Sequence, residues 1–527
     1  MISLQLTLLG LGTLAAWLLW TVLQRLVLHD LASVPGPTLP ALTRWYECWY
    51  EIWQPGKYPF KLKELHEKYG PILRPVPDEV HINDPDFLDT IYAIRNRNNP
   101  TIRGLLVDQS VGGAEDWHVH KMRRDALNPY FSQKFTLSMQ DLMLQKRDQV
   151  IEQFFTASRS GQPFNLSDVY FAFSNDLVRN FCFGSDSDLL HNLPEAQIQR
   201  KNLTRMLTGV KVNKHFPFVP RLLANILPVF LGDGAIPPAV MDLMRFRARC
   251  RADIEAVFKD RKNDNKGRHS IFYELRDSPS LPPEEKTVRR LQDEAQLLVM
   301  AGTESLAKSL AIASFHLISN PSTLFTLRAE LSSARQTSQH PDQPVPLTTL
   351  LTLPYLNAVI TEANRLSFGV TNRIVRYSPT ETLSYTASSG PHKGTTYVFP
   401  PRTKMSCCTY CTHTNPSLFP DPLKFLPERF LGEGDELAKR KRCMMALGKG
   451  HRRCLGINVA NAGMCLIVAA VAEWDMKAWD TDERDVAFLH DYQVAHGRLD
   501  SKGVRVVVKG RNGVDASCIE DGPLLTA

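Results

Sequence analysis

Long apolar stretches with helical spacing dominate the chain, and polar or proline-rich breaks separate them. The stretch Leu4–Leu28 is nearly all apolar and is long enough to cross a bilayer as a helix. Helical spacing is strongest at Leu291–Ser319, which Asn320-Pro321 ends, and at Leu356–Leu366. The chain from about Phe135 to Phe258 is also mostly helical in character. The pattern therefore predicts a body made mainly of helices.

Short strands account for much of the remaining apolar sequence. Ile72–Ile82 is typical of a hairpin, and brief strands are expected at Thr382–Tyr385, Thr396–Phe399 and Val504–Val508. No linker in residues 50–527 is clear enough to split this region. The sequence predicts a mainly α fold with a small β component, preceded by one N-terminal transmembrane helix.

The N-terminal apolar stretch is expected to be a retained membrane anchor rather than a cleaved signal peptide. No positively charged residues precede it, and no small-residue cleavage site follows it. Arg25, near its C-terminal end, favours a body on the cytoplasmic side. The segment Pro35–Pro40 predicts a stiff, extended connector without helix. We expect an anchor at residues 1–28, a proline-rich hinge at 29–50 and a single domain at 51–527.

Composition and charge narrow the function classes. The 527 residues are 43% hydrophobic and 22% charged, which is ordinary for a globular protein. A net charge of +7 is mild and argues against a dedicated nucleic-acid binder. Ten cysteines are too few for a disulfide scaffold in a chain of this length, so we expect a reducing compartment.

The segment Leu447–Gly456 is the strongest candidate for chemistry. It places Cys454 among glycines, with Gly448 and Gly450 before it and Gly456 after it. Glycine permits sharp turns and close approach to a ligand. A buried helix is predicted directly after this segment, and the free N–H groups of a helix N-terminus favour a thiolate over a thiol. Cys454 is therefore either a nucleophile or a metal ligand.

The segment Ala301–Ser305 lies inside the long predicted helix and allows two interpretations. Glu304 is either an exposed acid on a helix kinked at Gly302, or part of a turn that opens to a ligand. In the second case Gly302 permits close approach, and Glu304 with Ser305 passes protons. The residues alone leave both interpretations open.

Two further groups carry charge at helical spacing. Glu362 and Arg365 are three residues apart and have apolar neighbours, which favours a partly buried pair on one helix face. A buried pair needs a third partner, and Arg429 is available. His120 and Arg124 are four residues apart and form a candidate grip for an anion such as a carboxylate.

Along the chain these four groups come in the order His120 and Arg124, Ala301–Ser305, Glu362 and Arg365 with Arg429, and then Cys454. In that order they resemble the cytochrome P450 family. The family's haem-binding loop, Phe-x-x-Gly-x-Arg-x-Cys-x-Gly, is matched by Gly450, Arg452, Cys454 and Gly456, with Leu447 in the first place. The other family motifs are Glu-x-x-Arg at Glu362 and Arg365, Pro-Glu-Arg at Pro427-Glu428-Arg429, and the Ala/Gly-Gly-x-Asp/Glu-Thr helix pattern at Ala301–Ser305. The resemblance covers roughly residues 30–510, and four motifs in order make it specific.

The resemblance implies a cytochrome P450 fold around heme b (iron protoporphyrin IX). Cys454 would be the axial thiolate on the haem iron. Glu304 and Ser305 would deliver protons to bound dioxygen. The other implied roles are charge for the haem propionates from His120, Arg124, Arg373 and Arg452, a structural role from Glu362, Arg365 and Arg429, and haem-loop positions for Gly450 and Gly456.

The resemblance also implies a haem-dependent monooxygenase that hydroxylates or epoxidises a lipophilic small molecule. The segment Leu127–Ser132 and the N-terminal anchor are most similar to fungal microsomal members that act on terpenoid or polyketide intermediates of secondary metabolism. Electrons would come from NADPH through NADPH–cytochrome P450 reductase, with molecular oxygen as co-substrate and no nucleic acid as a partner. The protein would lie in the endoplasmic reticulum membrane as a single-pass protein, with its catalytic domain facing the cytosol. The alternative is a haem-thiolate enzyme with a non-oxygenating activity, such as an isomerase or dehydratase, or a peroxygenase.

Three residues depart from the family pattern. Leu447 replaces the usual aromatic residue beside the thiolate, Ser305 replaces the usual threonine, and His120 stands where many members have tryptophan. A second register, with Trp117 and Lys121 facing the haem, fits the downstream spacing less well.

Two other segments allow rival interpretations. Cys407–His413, together with Cys443, has residue types that suit a zinc site. The segment continues into Asn415-Pro416 as it does in the family, so we favour reduced, partly buried cysteines. The basic run Lys439–Arg442, with Lys449 nearby, is either a solvated surface or a docking site for an acidic redox partner.

Overall fold

The computed structural model describes residues 2–100, 105–185, 187–219, 222–223, 236–260, 270–338 and 343–512. In this part of the chain, helices form most of the body and small sheets lie around it. This architecture confirms the predicted mainly α fold with a small β component. The division at residues 28 and 50 remains a prediction.

The N-terminal helix is exposed along its length. Helix α1 spans Ile2–Leu23 and continues as a π-helical turn at Gln24–Leu28. Among the described residues, two helices are long and apolar enough to cross a membrane, Leu4–Leu28 and Val288–Ser319. The second is mostly buried in the body, as expected of a core helix, whereas the first has no buried residues in its apolar window. The first is therefore the one compatible with a single-pass anchor.

The prediction that Pro35–Pro40 contains no helix is wrong. Helix α2 spans Thr38–Leu42 and includes Pro40. Pro40 is the third helical residue, where the backbone N–H has no intrahelical partner, so its missing donor costs nothing. Helix α3 follows at Trp45–Cys48 and continues as a π-helical turn at Trp49–Trp53.

The connector is held to the body by one arginine. The backbone N–H of Arg74 donates to the Pro35 carbonyl at 2.9 Å, and its Nη1 donates to the Arg25 carbonyl at 2.7 Å. Arg25 in turn donates to the carbonyl of Leu42. The base of the N-terminal helix is thus fixed to the first sheet rather than free to swing.

The predicted helices are present with small shifts at their ends. The long core helix, for example, begins at Val288, three residues earlier than predicted. Thr287 caps it there, since its hydroxyl accepts from the Arg290 backbone N–H at 3.3 Å. The helices are α4 (Tyr58–Tyr69), α5 (Leu88–Ile91), α6 (Trp117–Leu127), α7 (Gln133–Ser138), α8 (Gln140–Ser160), α9 (Leu166–Phe183), α10 (Leu193–His215), α11 (Pro238–Lys259), α12 (Ile271–Asp277), α13 (Val288–Ser319), α14 (Pro321–Gln336), α15 (Leu347–Leu350), α16 (Pro354–Ser367), α17 (Thr409–His413), α18 (Asp435–Arg442) and α19 (Ile457–Ala472).

The strands form small sheets at the edges of the helical body. The largest has the order β1-β2-β7-β4, in which β1 and β2 form the predicted hairpin and β7 pairs with β2 in parallel. The other sheets are β3-β11-β8, β5-β6 and β9-β10. The strands are β1 (Ile72–Val76), β2 (Glu79–Ile82), β3 (Phe164–Asn165), β4 (Ile374–Arg376), β5 (Leu383–Thr386), β6 (Thr396–Phe399), β7 (Lys404–Cys407), β8 (Trp474–Ala478), β9 (His490–Tyr492), β10 (Val494–His496) and β11 (Arg505–Arg511).

Helix α13 runs through the middle of the main hydrophobic core. It packs on α9, α11, α16 and α19, and it is buried on nearly all sides because apolar residues occupy most of its faces. The packing of α13 on α19 matters for function, since the Cys454 loop leads directly into α19.

Candidate active site

The loop that carries Cys454 is fixed by backbone hydrogen bonds and by two glycines. The backbone N–H of Cys454 donates to the Leu447 carbonyl at 2.7 Å. Gly448 and Gly450 have φ values of 70° and 68°, a region that residues with a side chain rarely adopt. A Cβ at Gly450 would also collide with the carbonyl of Tyr92. These two glycines are therefore required by the shape of the loop.

Gly456 differs from these two glycines. Its φ is −83°, which any residue adopts, and a Cβ there would lie 4.0 Å from the nearest atoms, in the Phe131 ring. The loop backbone therefore does not require glycine at this position.

Burial controls the protonation of Cys454 in the polypeptide. Burial raises the pKa of the thiol, while the backbone N–H of Gly456 and the side chains of Arg124 and Arg453 lower it, and the net pKa is above its usual value. The prediction from the helix N-terminus alone was therefore incomplete, because it left out desolvation. A coordinated metal ion would deprotonate the thiol outright.

A group of three arginines and two histidines lies beside this loop. We call it the cationic cluster, and its members are His120, Arg124, Arg376, His451 and Arg452. In the described part of the chain, none of its three arginines forms an ion pair with a carboxylate, and each donates to an uncharged oxygen: Arg124 to Arg453 O at 2.7 Å, Arg376 to Asn99 Oδ1 at 2.7 Å and Arg452 to Glu115 O at 3.0 Å. The rings of His120 and His451 are 5.1 Å apart.

Several nitrogen atoms of the cationic cluster are buried without a partner among the described residues. They are His120 Nδ1, His451 Nε2 and Arg452 Nε. Burial and the neighbouring positive charges lower the pKa of Arg452 to about 9 and that of His120 to about 2. Three arginines without a carboxylate partner, one of them buried and two half-buried, are costly to hold together unless an anion joins them.

The structure brings the sequence-predicted residues His120, Arg124 and Arg452 together in this cluster. His120 is buried and faces it, whereas Lys121 is exposed and pairs with Asp125, so the register with Trp117 and Lys121 is not supported. The assignment of Arg373 to the propionates is not supported either. Arg373 lies in another buried cluster, where it bonds Glu47 at 2.6 Å and Glu79 at 2.7 Å.

The sequence analysis missed Arg376, which occupies the place expected for Arg373. The two residues are three apart near strand β4, and an odd separation along a strand places side chains on opposite faces. The alternation therefore indicated that only one of them faces the cluster, but it did not indicate which.

Helix α13 has an accessible face in the middle of its buried length. Ala301 and Ser305 are exposed, although Thr303 and Leu306 beside them are buried. Residues four apart share a helix face, so this pair forms one accessible patch on α13. The hydroxyl of Ser305 donates to the Ala301 carbonyl at 2.7 Å.

Gly302 does not provide the predicted close approach to a ligand. A Cβ at Gly302 would lie 2.7 Å from Cγ2 of Val178, so the missing side chain allows helix α9 to pack against α13. The accessible residues of this turn are its neighbours on the other face, Ala301 and Ser305.

Glu304 is partly buried, which does not support the interpretation as an exposed acid. Burial raises the pKa of its carboxyl, and the positive charges of Lys308 and Arg200 oppose this shift without cancelling it. Burial also lowers the pKa of Lys308, one turn further along the helix. A carboxyl group with a raised pKa holds and releases a proton closer to neutral pH.

The predicted buried triad is present. The Glu362 carboxylate accepts from Arg365 at 2.7 and 2.8 Å and from Nε of Arg429 at 3.1 Å. It also accepts from the backbone N–H of Leu426 at 2.9 Å. Every charge in this group therefore has partners, which a buried charge requires.

His413 connects this triad to the cysteine loop. Its Nδ1–H donates to the Arg365 carbonyl at 2.8 Å, and its Nε2 accepts from the backbone N–H of Met445 at 2.9 Å. The carbonyl of Met445 accepts from Gly448 N–H at 2.8 Å. Burial lowers the pKa of His413 to about 3, so the ring is neutral and this pattern of one donor and one acceptor is stable.

The zinc interpretation of Cys407–His413 is not supported. No group of three or more histidine, cysteine or acidic residues is positioned for a metal ion within the described ranges. The cysteines of this segment are buried free thiols. The basic run is partly neutralised, since Lys439 and Arg442 pair with Asp86, and Lys449 pairs with Asp89.

Comparison with known proteins matches this geometry. The family model for cytochrome P450 matches residues 35–473, and the chain belongs to that family. It is 34% identical over 505 residues to the cytochrome P450 monooxygenase tpcC of Cochliobolus heterostrophus, covering 92% of this chain and 93% of the relative. It is 31% identical to the tryptophan 6-hydroxylase fscE of Fusarium equiseti, covering 92% and 94%, and 31% identical to the cytochrome P450 monooxygenase TRI4 of Fusarium sporotrichioides, covering 89% of each. The chain is thus a cytochrome P450 monooxygenase.

The family implies a haem-thiolate cofactor, and the residues of the site fit one. Haem carries two carboxylates, and the cationic cluster offers the buried Arg376 and the half-buried Arg124 and Arg452 without a carboxylate partner, together with orphaned nitrogen atoms. Cys454 lies on a rigid loop beside this cluster, and Arg124 influences the electrostatics of both. The donor set therefore suits an anionic macrocycle with a thiolate-bound iron.

Proposed function

We propose that this monooxygenase inserts one oxygen atom from dioxygen into a lipophilic small molecule of fungal secondary metabolism, a terpenoid or a polyketide intermediate. The observation that carries the proposal is the cationic cluster with its orphaned nitrogen atoms beside the Cys454 loop. A lipophilic substrate is supported by Ala301 and Val370, which are apolar and exposed beside largely buried neighbours. The products proposed are hydroxylated or epoxidised.

Cys454 and the cationic cluster would bind the haem. Cys454 would hold the haem iron, and Arg124, Arg376, Arg452 and His120 would hold its propionates. The bound haem supplies dioxygen activation and oxygen insertion. The other residues of the site would bind the haem or transfer protons, and none of them would be oxidised or reduced.

Glu304 and Ser305 would supply protons at the accessible face of α13. The pKa of Glu304 is raised by burial, so its carboxyl keeps a proton at higher pH than an exposed acid does. The hydroxyl of Ser305 lies on the accessible face of α13 and is able to both donate and accept. This pair favours oxygenation over a non-oxygenating reaction, which has no need of proton delivery to dioxygen.

Electrons are proposed to come from NADPH through NADPH–cytochrome P450 reductase. The apolar stretch Leu4–Leu28 supports attachment to the endoplasmic reticulum membrane, with the body in the cytosol. A fluorescent fusion of the full chain in a fungal cell should co-localise with a marker of that membrane. Fluorescence from secreted or soluble protein would contradict the proposed localisation.

The carbon monoxide difference spectrum of the reduced full-length protein tests the cofactor assignment. The folded protein should give the red-shifted Soret band of a thiolate-ligated haem, and Cys454→Ser should lose that band. A properly folded protein without the band would overturn the assignment of Cys454.

Substrate-binding spectra with a panel of terpenes, polyketides and tryptophan test the substrate class. Turnover with reductase, NADPH and isotopically labelled dioxygen should then place one labelled oxygen atom in the product. A product without label would favour the alternative, a non-oxygenating enzyme or a peroxygenase. Tight binding of tryptophan alone would contradict the lipophilic substrate.

A further inference from the structure

A cavity of about 230 Å³ lies at the C-terminal end of α13. Its wall is formed by the ends of α13 and α19, the start of α14 and the strands β8 and β11. Leu317, on this wall, comes twelve residues after Ser305 on the same helix, which is about 18 Å along the helix axis. The cavity is therefore separate from the accessible face of α13 at Ala301 and Ser305. Most of its lining residues are apolar: Leu317, Ile318, Leu324, Val471, Trp474 and Met476.

Trp474 brings a buried hydrogen-bond donor to the wall of this cavity. Its side chain is 1% exposed, and its Nε1 has no hydrogen-bond partner among the described residues. Its ring packs edge-on against Phe154 and Phe155, with centroids 5.8 and 4.7 Å apart, and neither ring carries a polar acceptor atom. A buried indole N–H normally has a partner. A ligand with an oxygen atom could supply the missing acceptor at this wall.

Two charged residues, Asp475 and Lys509, complete the lining of the cavity. Both are exposed, so they lie at its open side. Asp475 pairs with Arg328 at 2.7 Å, whereas Lys509 forms no ion pair in the described part of the chain. The open side of the cavity therefore offers one cation to an anionic group.

The cavity contacts both helices that belong to the active site. Helix α13 carries Glu304 and Ser305, and α19 begins directly after the Cys454 loop. Leu317 and Val471 are the residues through which these helices reach the cavity. A ligand bound there would contact both helices without entering the haem site.

We propose that this cavity is a second small-molecule site, which binds a lipophilic carboxylate. The apolar body of the ligand would lie between α13 and α19, and its carboxylate would pair with Lys509, with Trp474 as a second donor. An apolar cavity of about 150 Å³ in another protein takes up benzene, so this one suits an apolar body of on the order of ten non-hydrogen atoms. The apolar wall excludes a small hydrophilic anion such as phosphate as the preferred ligand, because it offers such an anion few polar partners.

Isothermal titration of the ferric holoenzyme with 2-naphthoate tests the proposal, since its naphthalene ring has the required size and its carboxylate is ionised at neutral pH. The matched ligand is 2-naphthamide, which has the same ring and no charge. Leu324→Trp fills the cavity, and its control is Phe325→Trp, because Phe325 is the next residue of α14, is 74% exposed and does not line the cavity. Lys509→Gln removes the unpaired cation, and its control is Lys134→Gln, an exposed position on α7.

The parent protein should bind 2-naphthoate more tightly than 2-naphthamide. Leu324→Trp should abolish the binding of both ligands, and Lys509→Gln should weaken only that of 2-naphthoate, by several-fold. Trp474→Phe keeps an aromatic ring but removes the N–H, so it should weaken the binding of both ligands. Phe325→Trp and Lys134→Gln should bind like the parent.

Three results would overturn the proposal. The first is no binding of 2-naphthoate to the parent, and the second is equal binding to Leu324→Trp and Phe325→Trp. The third is a shift of the haem Soret band on binding that Leu324→Trp leaves unchanged, which would place 2-naphthoate in the haem site instead. If Leu324→Trp does not fold, Lys509→Gln decides, because an affinity for 2-naphthoate equal to that of the parent would also overturn the proposal.

Discussion

Replacing Lys211 with methionine is expected to destabilise the protein strongly, although Lys211 is far from the cysteine loop in sequence. Its side chain is 1% exposed, and its Nζ lies 2.7 Å from the carboxylate of Asp491 and 3.1 Å from that of Glu51. It also donates to the side chain of Asn372. Methionine keeps the length and flexibility of the side chain but removes the charge, so two buried carboxylates lose a cation.

The size of the effect follows from this geometry. Breaking a buried pair by removing one partner costs about 3–5 kcal/mol. Unfolding a chain of this size increases its entropy by about 1 kcal/mol per kelvin. A loss of this stability should therefore lower the melting temperature by about 3–5 °C. The matched control is Lys121→Met, since Lys121 pairs with Asp125 in an exposed position, where such a pair contributes under about 1 kcal/mol.

Thermal unfolding followed by circular dichroism and by the haem absorbance measures both variants. Adding Asp491→Asn to the Lys211→Met variant should recover part of the loss, because it removes the carboxylate without a partner. The other oxygen of Asp491 accepts from Thr371 at 2.6 Å and from the backbone of Gln493 at 3.1 Å, and asparagine keeps both bonds. The reasoning fails if Lys211→Met behaves like Lys121→Met, or if the second substitution makes the protein less stable still.

The difference between the parent protein and Lys211→Met should also depend on pH. Burial alone raises the pKa of Glu51, but Lys211, Lys214 and His215 lower it well below its usual value. A carboxyl group with a lowered folded pKa stabilises the protein above its unfolded pKa, and this contribution is lost as the pH falls through the folded value. The stability difference should therefore be full at neutral pH and shrink on acidification.

Further substitutions test other parts of the site. Gly302→Ala should cost about 1–3 kcal/mol because its methyl group meets Val178, and Val178→Ala should restore most of it in a thermal melt. Arg376→Gln should lower the haem-to-protein absorbance ratio several-fold after dilution, and an unchanged ratio would remove Arg376 from the propionate site. Ser305→Thr should release less peroxide per NADPH consumed, and equal coupling in both proteins would refute a role for the freer serine hydroxyl. Leu447→Phe should shift the haem potential in a redox titration, and no shift would show that the missing aromatic ring has no electronic consequence.

The sequence predicted well where a motif and a local spacing required the same contact. Glu362 and Arg365 share one turn of a helix, and Arg429 was the natural third partner, so the triad could be inferred without coordinates. The same holds for the long core helix, whose N-cap and closing proline are local signals.

The sequence predicted poorly where the direction of a side chain depends on distant packing. Arg373 and Arg376 look equivalent in sequence. In the structure, Arg373 forms ion pairs with Glu47 and Glu79, two acids from other segments. Gly302 looks like part of a ligand site, but its neighbour Val178 lies more than a hundred residues earlier. The sequence near a residue does not indicate such distant partners, because the packing of the folded chain determines which side chains come into contact.

The pairing of Lys211 with Asp491 also has a consequence for biosynthesis. The two residues are 280 positions apart in the chain. At a synthesis rate of about 5–20 residues per second, Lys211 leaves the ribosome roughly 14–56 s before Asp491 does. During that interval Lys211 and Glu51 have both been synthesised, but their shared partner Asp491 has not. The contact that joins the beginning, middle and end of the chain is thus among the last that a nascent molecule is able to form.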